Sequence, residues 1–116
     1  AVYGKYPSCV DSVGQDWKAW LTKGYLDFAC PMNYTSDLST FDGYLKSQTK
    51  HSGDRGKILP GIGATSRECR LSPAQVLDQI QIVRSAGTPG FILFDLNRAL
   101  ETEILSLISP GFAGKN

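Results

Sequence analysis

Between Asp27 and Asp37 the chain changes character in a single step. A compact, largely apolar run from Phe28 to Met32 gives way to Asn33, Tyr34, Thr35, Ser36 and Asp37. An amide both donates to and accepts from hydroxyl groups, a phenol offers a flat face with a polar tip, and a carboxyl can carry a proton. Two further acids occupy comparable places: Glu68 lies in the polar segment after the run that ends at Ala64, and Asp95 ends the run from Phe91 to Phe94. Asp37, Glu68 and Asp95 are thus the acids that could transfer protons. Asn33, Tyr34, Tyr3 and Tyr6 are the residues that could position a ligand.

Other chemistries are poorly supplied. His51 is the single histidine and falls in a predicted loop before "SGDRG", so a Ser-His-Asp mechanism or a zinc site has little to build on. The three cysteines, Cys9, Cys30 and Cys69, are odd in number and widely spaced, which fits neither a disulfide framework nor a paired metal cluster. Cys30 reads as a small core hydrophobe within a strand. Cys9 and Cys69 fall in predicted loops, where a disulfide between them stays open. "GIGATS" after an apolar run invites a phosphate-loop reading, but it lacks the G-x-x-x-x-G-K-[ST] pattern. Close backbone approach is the simpler reason for Gly61 and Gly63. No cofactor and no metal is called for.

Bulk properties exclude more. Twelve basic and eleven acidic residues give a net charge of +1, and no run of Lys and Arg supplies an electrostatic footprint for nucleic acid. The longest apolar runs span about five residues, against roughly 20 for a bilayer crossing. The chain opens without Met and without a basic region followed by an apolar one, which reads as a mature or excised piece of something longer.

The elements that position these residues alternate between short apolar strands and amphipathic helices. Val2 and Tyr3 read as the tail of a strand, followed by a loop with Gly4 and Pro7. Trp17, Trp20 and Leu21 share one face of a helix from about Asp16 to Lys23, closed by Gly24. Tyr25 to Met32 reads as a full strand. Ser39 or Thr40 then caps a helix with Phe41, Tyr44 and Leu45 inward, ending before His51. "KILPGIGA" is the next strand. In "SPAQ", Ser72, Pro73 and Gln75 form a capping box with proline at the first helical position, and Val76, Leu77, Ile80 and Val83 make the inner face up to Gly87. "GFILFDLN" is the last strand. Asn97 caps a helix with Leu100, Ile104, Leu107 and Ile108 inward, broken at Pro110-Gly111. Strands about 32 residues apart match a repeating βα unit, and their uniform apolar character predicts a parallel sheet covered on both faces.

Three stretches, "QDWKAWLTKGYLDFACPMNYTSD", "ILPGIGA" and "GTPGFILFDLN", together resemble the glycosyl-hydrolase-like TIM-barrel proteins of bacteria. The resemblance covers nearly the whole chain in family order. It implies that residues 1–116 form a single partial-barrel domain: the C-terminal half, strands five to eight, of a (β/α)8 TIM barrel whose N-terminal half is missing. It also implies a carbohydrate substrate and a glycoside hydrolase as the parent protein, with the isolated chain lacking complete catalytic machinery, or else a non-catalytic carbohydrate-binding or scaffold module. An extracytoplasmic or cell-surface location follows from the same resemblance. In such barrels the C-terminal strand ends form the working face, so the loops carrying Tyr3, Asn33, Tyr34, Asp37, Glu68 and Asp95 would share one mouth.

Asp95 and Asp37 are then the candidate catalytic acids, and Asn33, Tyr34, Tyr3 and Glu68 the candidate substrate-binding groups. Each has a structural alternative. Asp37 reads equally as a helix cap or turn residue, Glu68 as a solvated loop acid between Arg67 and Arg70, and Asp95, Asn33 and Tyr34 as strand-end residues bonded to neighbouring loops. Tyr3 and Tyr6 read equally as tyrosines resting on a strand end. A half-barrel leaves open sheet edges and exposes apolar residues meant for the interior, among them Phe28, Met32, Ile62 and Phe94. Self-association that covers those edges or faces is expected.

Overall fold

The computed structural model describes residues 1–67 and 69–108. In chain order it contains strand β1 (Val2–Tyr3), helices α1 (Ser8–Val13) and α2 (Trp17–Thr22), β2 (Pro31–Met32), α3 (Leu38–Ser52), a short 3-10 turn (Arg55–Lys57), β3 (Gly61–Ile62), α4 (Pro73–Ala86), β4 (Ile92–Leu93) and a final π-helical segment (Leu100–Leu105). The four strands form one sheet in the order β1-β2-β3-β4, and each neighbouring pair is parallel. Sequential parallel strands joined through helices place those helices on one face of the sheet when the crossovers share a hand.

Packing follows that geometry. Val2, Ile58, Ile62 and Ala64 meet Trp17, Leu21, Phe41, Leu45, Val76, Ile80, Val83, Leu100, Ile104 and Ile108 in a single buried core. The register pairs Tyr3 with Met32, Met32 with Gly61 and Gly61 with Ile92, so these four share the other face. That face is open: Tyr3 is 51% exposed, Ile92 42% and Phe94 43%. The expectation of two covered faces is therefore corrected. Ile62 was expected to point away from the helices with Phe94. It is fully buried among them instead, because the residue after Gly61 must take the opposite side of the strand.

Local chemistry accounts for the element ends. Ser72 accepts from the Gln75 amide while Gln75 reaches back to the Ser72 amide, completing the capping box. Asp16 caps α2 by accepting from the Ala19 amide at 3.1 Å, and Asn97 accepts from the Leu100 amide at 2.8 Å. The strand expected from Tyr25 contributes only Pro31 and Met32 to the ladder, with an isolated bridge from Ala29 to Ile58. The Tyr25 and Leu26 amides are held instead by the Trp20 carbonyl, after Gly24 turns the chain at φ 76°.

Helix α3 begins before the expected cap, with Asp37 at its N-cap, and runs through His51, which was expected in a loop. Helix α1 replaces an expected loop: Cys9 is its buried residue, and Gly14 ends it in the left-handed conformation. Leu107, expected inward, is 63% exposed. The buried residues Leu100, Ile104 and Ile108 recur every four positions, which leaves Leu107 off that line. Pro110 and Gly111 lie outside the described residues. Among the described residues, no helix is long and apolar enough to cross a membrane.

Candidate functional site

Parallel strands end together, so Gly4 after β1, Asn33 after β2, Gly63 after β3 and Phe94 after β4 mark one end of the sheet. Asp95 follows directly. Its Oδ1 accepts from Asn97 Nδ2 at 2.9 Å and lies 3.3 Å from the hydroxyl of Thr65, which follows β3. The Thr65 amide donates to the Phe94 carbonyl at 3.1 Å. Asn97 uses its oxygen for the last helix cap, so one side chain joins the carboxylate to the helix start. Asp95 is half-buried and kept in place by groups from two strand ends. The Phe94–Asp95 peptide is cis.

The neighbouring rim is built differently. Asn33 is completely buried and exchanges two hydrogen bonds with Gln48 of α3: Asn33 Nδ2 donates to Gln48 Oε1 at 2.9 Å, and Gln48 Nε2 donates to Asn33 Oδ1 at 2.7 Å. Gln48 Nε2 also donates to the Gly4 carbonyl at 2.9 Å. A Cβ on Gly4 would stand 2.6 Å from Asn33 Oδ1, so only glycine leaves room for the pair. The structure thus turns Asn33, a candidate ligand-binding amide, inward as a cross-link between two rim loops and a helix. Gln79 of α4, also buried, repeats the device by donating to the Thr35 carbonyl at 2.7 Å. Sequence reasoning missed both glutamines. Gln48 lies three positions after buried Leu45 and Gln79 three after buried Val76, and that same-face spacing was the available signal.

Tyr34 lies across β3. Its ring stacks on Phe94 with centroids 5.2 Å apart and planes 14° from parallel. A Cβ on Gly61 would meet the Tyr34 ring at 3.1 Å, and one on Gly63 would meet Tyr34 Cβ at 2.8 Å, Ser66 Oγ at 2.8 Å and Cys69 Sγ at 2.9 Å. The two glycines are the floor for an aromatic slab and a folded loop, which bears out the close-approach reading. In that loop Ser66 Oγ accepts from the Cys69 amide, and Cys69 Sγ donates to the Gly63 carbonyl. Beside the slab, Cys30, Met32, Tyr34, Gly61, Ile92 and Phe94 line an open concavity of about 350 Å³. Cys30 is half-buried there rather than in the core.

The remaining candidates are more scattered. Asp37 is exposed; its carboxylate accepts from the Thr40 hydroxyl, and its amide donates to Thr35 Oγ1, the arrangement of a turn at a helix start. Tyr3 is half-exposed on the open face, and its amide donates to Gln15 Oε1 at 2.7 Å. Tyr6 instead leaves the open face: it packs on Trp17 and His51 and donates to Asp16 Oδ1 at 3.2 Å. Burial, then the Asp16 carboxylate, raises the Tyr6 pKa above the usual tyrosine value. Glu68 lies outside the described residues.

Cys9 donates to the Gln15 carbonyl and is not disulfide-bonded to Cys69. Burial raises the pKa of both Cys9 and Cys30, which disfavours reactive thiolates. Among the described residues, no group of three metal-ligating side chains comes together. The arrangement offers one anchored carboxylate, a stacked aromatic pair and an apolar concavity lined in part by that pair. No protein-family model, curated protein or solved structure matches this chain.

Proposed function

We propose that this chain is the C-terminal half of a (β/α)8 barrel of the glycoside hydrolase kind, and that its strand ends form half of a carbohydrate cleft. The observation that carries this reading is the sheet itself: four parallel strands in sequence order, an apolar face left open, and Asp95 anchored at the end where such barrels do their chemistry. Glycoside hydrolysis needs two carboxyl groups, about 5 to 5.5 Å apart for retention or about 6.5 to 9.5 Å for inversion. Asp95 is the acid or base of that pair. Its partner comes from a segment outside this chain, so the chain alone is inactive.

The test is to assay aryl glycosides and polysaccharides with the chain alone and with the chain fused behind the segment encoded upstream of Ala1. The chain alone is expected to be silent. The fused protein is expected to turn over substrate and to lose about 10²- to 10⁴-fold on Asp95→Asn, the usual worth of a general acid or base. Turnover unaffected by Asp95→Asn would refute the role assigned to Asp95.

The stacked Tyr34–Phe94 pair and half-exposed Tyr3 favour a second reading, a non-catalytic glycan platform, because sugars pack on flat aromatic faces. Glycan-array binding by the chain, abolished in Tyr34→Ala and with no hydrolysis by the fused protein, would support it.

A further inference from the structure

We propose that two copies of this chain close on each other through their open sheet faces, each β4 running parallel to its partner's β1, to form one eight-stranded barrel. Among the described residues, β1 and β4 each have a single neighbour, so each has an open edge that a further strand can join; on β1 the outward Tyr3 amide, held by Gln15 Oε1 at 2.7 Å, exchanges that partner for the incoming strand. All strands run in one direction. A two-fold axis along the strands therefore preserves that direction and makes the two new junctions equivalent parallel pairs. Two arcs of four strands give eight, the number whose interior is filled by side chains.

The faces suit each other chemically. Cys30, Met32, Tyr34, Ile92 and Phe94 carry no charge, so pairing buries no unpaired ion. Gly61 leaves a hollow among them, the concavity of about 350 Å³, into which the partner's larger side chains can fit. A small ligand would fill the hollow and leave both edges bare. A single added strand would cover one edge and leave the face exposed. In the chain without the N-terminal half of the barrel, a second copy takes that half's place and covers the face and both edges together. This inference rests on the half-barrel reading above but not on its sugar chemistry.

Sedimentation equilibrium and light scattering on the purified chain test it. The expected mass is twice the 12.6 kDa of the chain. Ile92→Lys and, separately, Phe94→Lys change side chains on the open face, outside the helix-side core, and are expected to give monomers with unchanged far-UV circular dichroism. Leu107→Lys, on an exposed helix position, should leave the mass of the pair unchanged. Alkylation of Cys30, mapped by mass spectrometry, should be at least tenfold slower in the unaltered chain than in either monomeric variant.

A monomeric unaltered chain overturns the proposal, as does a series of larger species, since head-to-tail pairing that fails to close makes filaments. A pair that survives both lysine variants, or Cys30 labelling that does not change, also overturns it. A monomer whose fused form hydrolyses glycosides refutes the pairing and leaves the hydrolase reading standing. A pair whose fused form is inert does the reverse.

Discussion

Replacing Gln48 with leucine removes three hydrogen bonds, two of them at a site that water does not reach. The Asn33 amide loses both its acceptor and its donor, and the Gly4 carbonyl loses its donor at 2.9 Å. Asn33 is fully buried, so desolvation of its two polar ends goes uncompensated. At about 1–3 kcal/mol for each stranded buried group, Gln48→Leu costs about 2–6 kcal/mol through Asn33 alone, a large share of the roughly 5–15 kcal/mol that stabilises a typical domain. The double variant Asn33→Leu/Gln48→Leu leaves only the Gly4 carbonyl stranded. It should recover stability relative to Gln48→Leu, because removing both partners of a buried pair costs far less than removing one. Urea unfolding followed by circular dichroism gives the four corners of the cycle, at one fixed protein concentration because association shifts apparent stability. A Gln48→Leu cost below about 0.5 kcal/mol would refute the reasoning, since that is the scale of an ordinary surface change. So would a double variant equal to the sum of the singles.

Gly63→Ala should destabilise by about 1–3 kcal/mol, because the new Cβ meets Tyr34 Cβ and Ser66 Oγ at 2.8 Å; Gly43→Ala, which meets nothing within 4 Å, is the control in the same melt. The raised Tyr6 pKa carries a sign. The folded state holds the phenolic proton more tightly than the unfolded state, so this stabilisation is complete below the ordinary tyrosine value of 10.0 and is lost as pH rises through the raised folded value. Denaturant midpoints measured upward from pH 9 should fall less steeply in Tyr6→Phe than in the parent chain, with Cys9 and Cys30, also raised, supplying the slope that remains.

The parts legible in the sequence were those written in local code. The Ser72-Pro73-Gln75 capping box, the Asn97 cap and the Trp17/Leu21 face each depend on residues within a turn of one another, and the structure has them. The parallel sheet followed from the regular spacing of apolar runs. What local code does not carry is which partner a buried polar group finds. Gln48 and Gln79 resemble surface residues in a helical pattern, and their acceptors, the Gly4 and Thr35 carbonyls, lie 44 positions away in each case. The candidate site divides the same way. Asp95 and Asn97 are two residues apart and could be read together, whereas Thr65, which binds them from the end of the neighbouring strand, is 30 and 32 positions distant. Asn33 looked available to a ligand because nothing in its neighbourhood announces Gln48.

The rim contacts also share a direction. The turn after β1 is clasped by Gln48 of the second unit, the turn after β2 by Gln79 of the third, and the turn after β3 by Asp95 and Asn97 of the fourth. The units overlap like roof tiles, each lapped by its successor. Damage to one helix should therefore surface as looseness in the loop of the unit before it, and shortening the chain from its C-terminal side should loosen the rim one tile at a time.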